Sequence, residues 1–102
     1  MRNIGTVESE TVPGDGDPTL ERLRAEIASV DAAIVEAVNR RLELVRRIRD
    51  HKQSLGLDFV DRTQEASNLA RLEEVNSGPL TSDGLGRLYR ELLELTKSET
   101  ER

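Results

Sequence analysis

The chain has 102 residues with 15 Lys or Arg against 20 Asp or Glu, a net charge of −5. That length supports one domain with a modest core, and the acidic balance leaves no basic excess for a nucleic-acid partner. Cysteine is absent, which excludes disulfides, thiolate nucleophiles and cysteine-based metal sites.

Residues 1–16 are acidic and Gly-rich with no apolar run. They read as a disordered leader, too polar to offset the entropy of ordering them, and as neither a signal peptide nor a membrane span. A soluble, cytoplasmic protein is expected, with residues 17–102 forming the folded domain. Asp17-Pro18 opens a helix: Asp17 suits the cap, and Pro18 suits the first turn, where a missing N–H costs nothing. From Leu20 the apolar positions 20, 23, 27, 30, 34, 38, 45, 48 and 55 keep helical spacing, and no Gly or Pro intervenes before Gly56. The predicted helix is about 38 residues, or roughly 57 Å, long.

A second helix is predicted from Asp61 or Arg62, with Ala66, Leu69, Leu72 and Val75 on one face. It stops at NSGP, residues 76–79, where Gly78-Pro79 is a strong terminator. Thr81 or Ser82 then caps a third helix that turns Leu85, Leu88, Leu92 and Leu95 inward. No strand-like alternation occurs, so the fold class is all-α: one long helix and two shorter ones. A compact domain of this size has a radius of gyration of roughly 13 Å, too small to cover the first helix. An intertwined homodimer solves this by laying two long helices side by side. A parallel coiled coil is the rival arrangement, but Arg41 and Lys52 in the seam and the breaker GLDFVD oppose it.

Arg41 and Lys52 are eleven residues apart, three turns of helix, and point within about 20° of each other. Both lie along the apolar seam. Cations in an apolar interhelical space are costly unless an anion is supplied. Carboxylates of the same chain, among them Glu21, Glu26, Asp31, Glu36, Glu43 and Asp50, are the plain source; a bound anionic ligand is the other. Arg24 lies about 100° around from Arg41 and over about 20 Å along the axis, so it suits a partner subunit's site better than its own. His51 is off the seam, and Tyr89 reads as core or interface packing.

The stretch LERLRAEIASVDAAIVEAVNRRLELVRRIRDHKQSLG, followed by VDRTQEASNLARL and GPLTSDGLGRLYRELLELTKSE, resembles the all-helical class of chorismate mutases. The likeness runs from residue 19 to about residue 100. The resemblance implies an isomerase without cofactor, built as an interlocked dimer of three-helix protomers with two equivalent sites for a small dianionic substrate. It implies that Arg41, and Arg24 from the other subunit, hold substrate carboxylates, and that Lys52 donates to the ether oxygen of the breaking C–O bond. Asp61 contacts the 4-hydroxyl through its backbone, Glu65 accepts a hydrogen bond from that hydroxyl, and Thr96 lines the wall. Two positions depart from the family: Gln64 stands where arginine is usual, and Thr100 where glutamine or glutamate usually assists the lysine. Gln64 suggests 4-amino-4-deoxychorismate as an alternative substrate. A weakly active helical dimer serving as an interaction module, with a partner enzyme, is the reading from a different class.

Overall fold

The computed structural model describes residues 16–101, which form three α-helices: α1, Pro18–Leu55; α2, Arg62–Val75; and α3, Ser82–Thr100. The described residues contain no strand. The leader expected over residues 1–16 lies, apart from Gly16, outside them. The chain divides between Ala37 and Val38 into two units, each with its own description.

The first unit is the leading half of α1. Asp17 caps it, Oδ1 accepting from Thr19 N at 2.8 Å and Leu20 N at 3.1 Å, so two backbone donors that a helix start leaves free are satisfied. Its apolar stripe keeps the predicted spacing, and every member is exposed; Ile27 retains 60% of its accessible surface. Arg22 and Glu26, one turn apart at 3.9 Å, pair in solvent, a contact of about 0.3–0.5 kcal/mol.

In the second unit, α1 ends by a tight device. Gly56 takes φ +70°. Gly56 N donates to Gln53 O at 3.1 Å and Leu57 N to Lys52 O at 2.9 Å, the paired bonds of a Schellman cap. Asp61 caps α2, accepting from Gln64 N at 3.0 Å. Asn76 closes α2 and also holds the next turn, donating to Leu80 O at 2.9 Å and accepting from Gly78 N at 3.1 Å. Thr81 caps α3, accepting from Gly84 N at 3.0 Å, while Ser82 Oγ donates to the Glu73 carboxylate at 2.7 Å. Start and stop signals in the sequence thus mark the observed ends.

The inward faces differ from those predicted. On α3 the buried residues are Leu85, Tyr89, Thr96 and Thr100, with Leu92 and Leu93 half-buried. Leu88 and Leu95, expected inside, remain 49% and 41% exposed. On α2 the inward positions are Glu65, Asn68, Leu69 and Leu72; Ala66 and Val75 point out. On α1 after Ala37 they are Val38, Arg41, Leu42, Val45, Arg49 and Lys52, whereas Ile48 and Leu55 are exposed. Leu85 and Leu92 on α3, Leu69 and Leu72 on α2, and Val38 and Val45 on α1 are inward as predicted, so the inward face overlaps the predicted one and is shifted to one side of it. Apolar periodicity cannot distinguish a face turned to the same chain from one left for another surface.

Among the described residues, α2 and α3 are the one pair of helices whose backbones approach closely. Long arginine side chains carry α1 to α3 instead: Arg41 to Thr96, Arg46 to Glu99 and Arg49 to Thr100. The cap at Gly56 has no heavy atom within 4 Å of where a Cβ would stand, so a side chain there costs backbone strain alone. Gly56→Ala is expected to lower stability by about 1–2 kcal/mol, read as the shift of a denaturant midpoint at unchanged slope.

Candidate active site

The C-terminal half of α1, the 56–61 connection, α2 and α3 enclose a solvent-open cleft of about 380 Å³. Arg41, Val45, Ile48 and Lys52 line it from α1, and Phe59 to Asp61 from the connection. Arg62, Gln64, Glu65 and Asn68 face it from α2; Tyr89, Leu93, Thr96 and Glu101 are among its α3 side. Six of the eight site residues expected from the sequence therefore meet here: Arg41, Lys52, Asp61, Gln64, Glu65 and Thr96.

Arg41 is held from below. Thr96 is back-bonded to its own helix, Oγ1 donating to Leu92 O at 2.6 Å. Its remaining lone pairs face outward, and Arg41 Nη1 donates to that oxygen at 2.5 Å. The guanidinium carbon stands 6.0 Å from the centre of the Tyr89 ring. The rest of its five-donor fork is open to a ligand. Lys52 Nζ donates to Phe59 O at 3.2 Å, which leaves two of its three donors. Among the described residues, neither cation has a carboxylate at salt-bridge distance; the pairs Arg22–Glu26 and Arg40–Glu43 on α1 lie elsewhere. Among the described residues, the carboxylates named as the plain expectation for neutralising Arg41 and Lys52 do not pair with them.

Asp61 occupies the cleft wall with its carboxylate committed to the α2 cap. Glu65 is half-buried one turn inside α2, and its backbone N donates to Asp61 O at 3.1 Å. Gln64 Nε2 donates to Asn68 Oδ1 at 2.9 Å, joining two neutral amides along the same wall. Thr100 is placed differently from expectation. It is buried, its hydroxyl donates to Thr96 O at 2.7 Å, and it does not line the cleft; Glu101, one residue on, does. Like Thr96, Thr100 bonds back to the preceding turn, as helical threonines do, but unlike Thr96 it stands outside the cleft lining. Arg24 belongs to the unit before Ala37 and is exposed there.

The sequence reading missed Arg62, which adds a cation to the α2 wall, and Arg49, which supports the connection. Arg62 was discernible as the first residue of a helix capped by Asp61; Arg49 was lost in the charged run RRIRD. Among the described residues, no group of His, Asp or Glu is arranged to hold a metal, and no helix is long and apolar enough to cross a membrane.

The site is an open cleft between three helices that carries an arginine and a lysine with no ion-pair partner among the described residues, alongside the carboxylates of Asp61, Glu65, Glu94 and Glu101. Residues 23–101 match the sequence model of the family chorismate mutase type II. A solved structure of chorismate mutase (form II) from Thermus thermophilus is similar, with TM-score 0.77 and 28% identity over 82% of this chain and 96% of that one. Curated proteins yield no match. The chain belongs to the type II chorismate mutases, and it is an isomerase.

One atom in the site has no assigned duty. Tyr89 is only 5% exposed, and its hydroxyl is buried without a hydrogen-bond partner among the described residues. An unpaired buried hydroxyl costs about 1–3 kcal/mol. Tyr89→Phe is therefore expected to raise the thermal midpoint or leave it unchanged; a fall would reveal a partner for that oxygen.

Proposed function

We propose that the chain converts chorismate to prephenate, and that the observation carrying this reading is the pair Arg41 and Lys52, both in the cleft and neither in an ion pair with a described carboxylate. The reaction is a pericyclic [3,3] rearrangement, with no nucleophile, metal or proton transfer. The substrate is a dianion that must be held in its compact reactive conformer, a positioning effect. Arg41 takes one substrate carboxylate in the two-pronged geometry that a guanidinium provides. Lys52 sets a fixed positive charge against the ether oxygen, which becomes more negative as the C–O bond breaks. The apolar side chains of Val45, Ile48 and Leu93 fit the carbon skeleton and reduce the screening of both charges. Glu65 accepts from the 4-hydroxyl, and Asp61 contacts it through its backbone. Thr100, turned away from the cleft, supplies no direct contact; Glu101 is the side chain at that end of α3 suited to assist Lys52.

The second carboxylate is assigned to Arg24 of a partner protomer in an intertwined homodimer. The exposed stripe on the leading half of α1 supports this, as do Leu88 and Leu95 on α3, since apolar side chains exposed in series are faces awaiting cover. Such a dimer folds and associates in one event, and a cytoplasmic location suits a cysteine-free chain. A partner enzyme and the interaction-module reading rest on the departures at Gln64 and Thr100 alone. Neither accounts for two cations in one cleft with no ion-pair partner among the described residues.

A second substrate, 4-amino-4-deoxychorismate, is favoured by the neutral Gln64–Asn68 pair beside Glu65. An arginine at position 64 about 5 Å from the substrate's ammonium would oppose it by roughly 3 kcal/mol at an effective dielectric near 20. Arg62 on the same wall works against the amine, so chorismate ranks first.

Lys52→Ala is expected to reduce turnover by about 10²–10³-fold, the effect of removing one preorganised donor, with helicity retained. An unchanged rate would remove Lys52 from the mechanism. Gln64→Arg is expected to shift kcat/KM toward chorismate over its 4-amino analogue, in a competition assay with both substrates; an unshifted ratio would rule out charge selection at that corner.

A further inference from the structure

Lys52 is positioned by a backbone carbonyl, and that carbonyl sits on an otherwise exposed connection. Phe59 O accepts from Lys52 Nζ at 3.2 Å, while its neighbours Leu57 and Val60 are both more than half exposed. What anchors residue 59 is its ring. The Arg49 guanidinium carbon lies 4.3 Å from the centre of that ring, and Arg49 Nη1 donates to Thr100 O at 2.6 Å.

We propose that Arg49 is a positioning residue for catalysis: it clamps Phe59 between α1 and the end of α3, and thereby sets the carbonyl that aims Lys52 into the cleft. The proposal rests on the reading of Lys52 given above. Geometry supports it at each link. Arg49 and Lys52 are three residues apart and share one face of α1, so a single side chain spans from the lysine's helix to the connection. A planar guanidinium can stack on an aromatic face and donate in its own plane at the same time; an ammonium has no plane to lay on the ring and is shorter in reach. The acceptor, Thr100 O, is in the last turn of α3, where carbonyls lack helical partners and the helix dipole favours a cation. Arg49 therefore satisfies an orphan acceptor and fixes Phe59 with one group.

Arg46 separates the two duties. It is exposed and donates to Glu99 O at 3.0 Å, so it docks the same helix end without touching Phe59. If docking α3 were all that mattered, loss of Arg46 and loss of Arg49 would act alike.

The chain contains a single phenylalanine, so biosynthetic incorporation of fluorophenylalanine places one ¹⁹F reporter at Phe59. The expected results for full-length Arg49→Ala are a ¹⁹F resonance moved toward its denatured position and kcat for chorismate lowered at least tenfold. KM should stay within threefold and helicity should be retained. Arg49→Lys should not restore kcat, and Arg46→Ala should leave it within twofold. Phe59→Leu should lower kcat in a similar way, and adding Arg49→Ala to it should cost less than a further threefold, since both act through one carbonyl. An unmoved resonance, additive losses, or equal effects of Arg46→Ala and Arg49→Ala would overturn the proposal. A wild-type protein that does not turn over chorismate would instead overturn the functional reading, and the ¹⁹F shift would still report whether the clamp exists.

Discussion

The structure depends on how two positive charges are kept in a partly apolar space with no ion-pair partner among the described residues. Arg41 and Lys52 are each given one neutral oxygen, from Thr96 and Phe59 respectively. A neutral acceptor orients a cation while leaving most of its charge uncompensated, whereas a carboxylate would cancel it. Asp61, Glu65, Glu94 and Glu101 line the same cleft, but none is paired with Arg41 or Lys52, so both cations keep donors that the small dianion proposed above would use. Chemistry of this kind demands little of the residue inventory, which is why a chain without cysteine, with one histidine and two aromatic side chains, is a competent isomerase scaffold.

Each of those neutral oxygens has its own support. Thr96 is buried and back-bonded to Leu92, so its lone pairs are directed by the helix. Phe59 lies in a short connection whose entry is set by the Schellman cap at Gly56 and whose exit is set by the Asp61 cap. Its ring is covered by Arg49. Backbone devices and one guanidinium therefore bear on the aim of a single lysine. The cleft is open and the connection exposed, so this local order has to come from hydrogen bonds and stacking instead of from a deep core.

The departures at positions 64 and 100 have different physical weight. Thr100 is withdrawn: its hydroxyl is spent on the helix and its carbonyl on Arg49, which makes it a structural residue. Gln64 stays on the wall and joins Asn68 in a neutral pair, so it alters the charge of the corner that Glu65 occupies. Arg62 partly restores that charge from the start of the same helix.

Much of this was legible in the residues themselves. Proline, glycine and short polar side chains punctuate the chain at Asp17, Gly56, Asp61, Asn76 and Thr81, and all five serve as caps or stops, because capping is a contest between a residue and its immediate neighbours. The three helices, and the shared face of Arg41 and Lys52, follow from the same local rules. How each inward face is centred followed only in part: Val45, Leu69, Leu72, Leu85 and Leu92 turn inward as their spacing predicts. Leu88, Leu95, Ile48 and Val75 have the hydropathy of core residues and are exposed, while Arg49 and Thr100 are drawn in. Periodicity fixes relative angles along one helix, but the absolute rotation is chosen by what packs across from it. The long reach of arginine from α1 to α3, in place of close apolar packing, is a property only of the assembled tertiary structure.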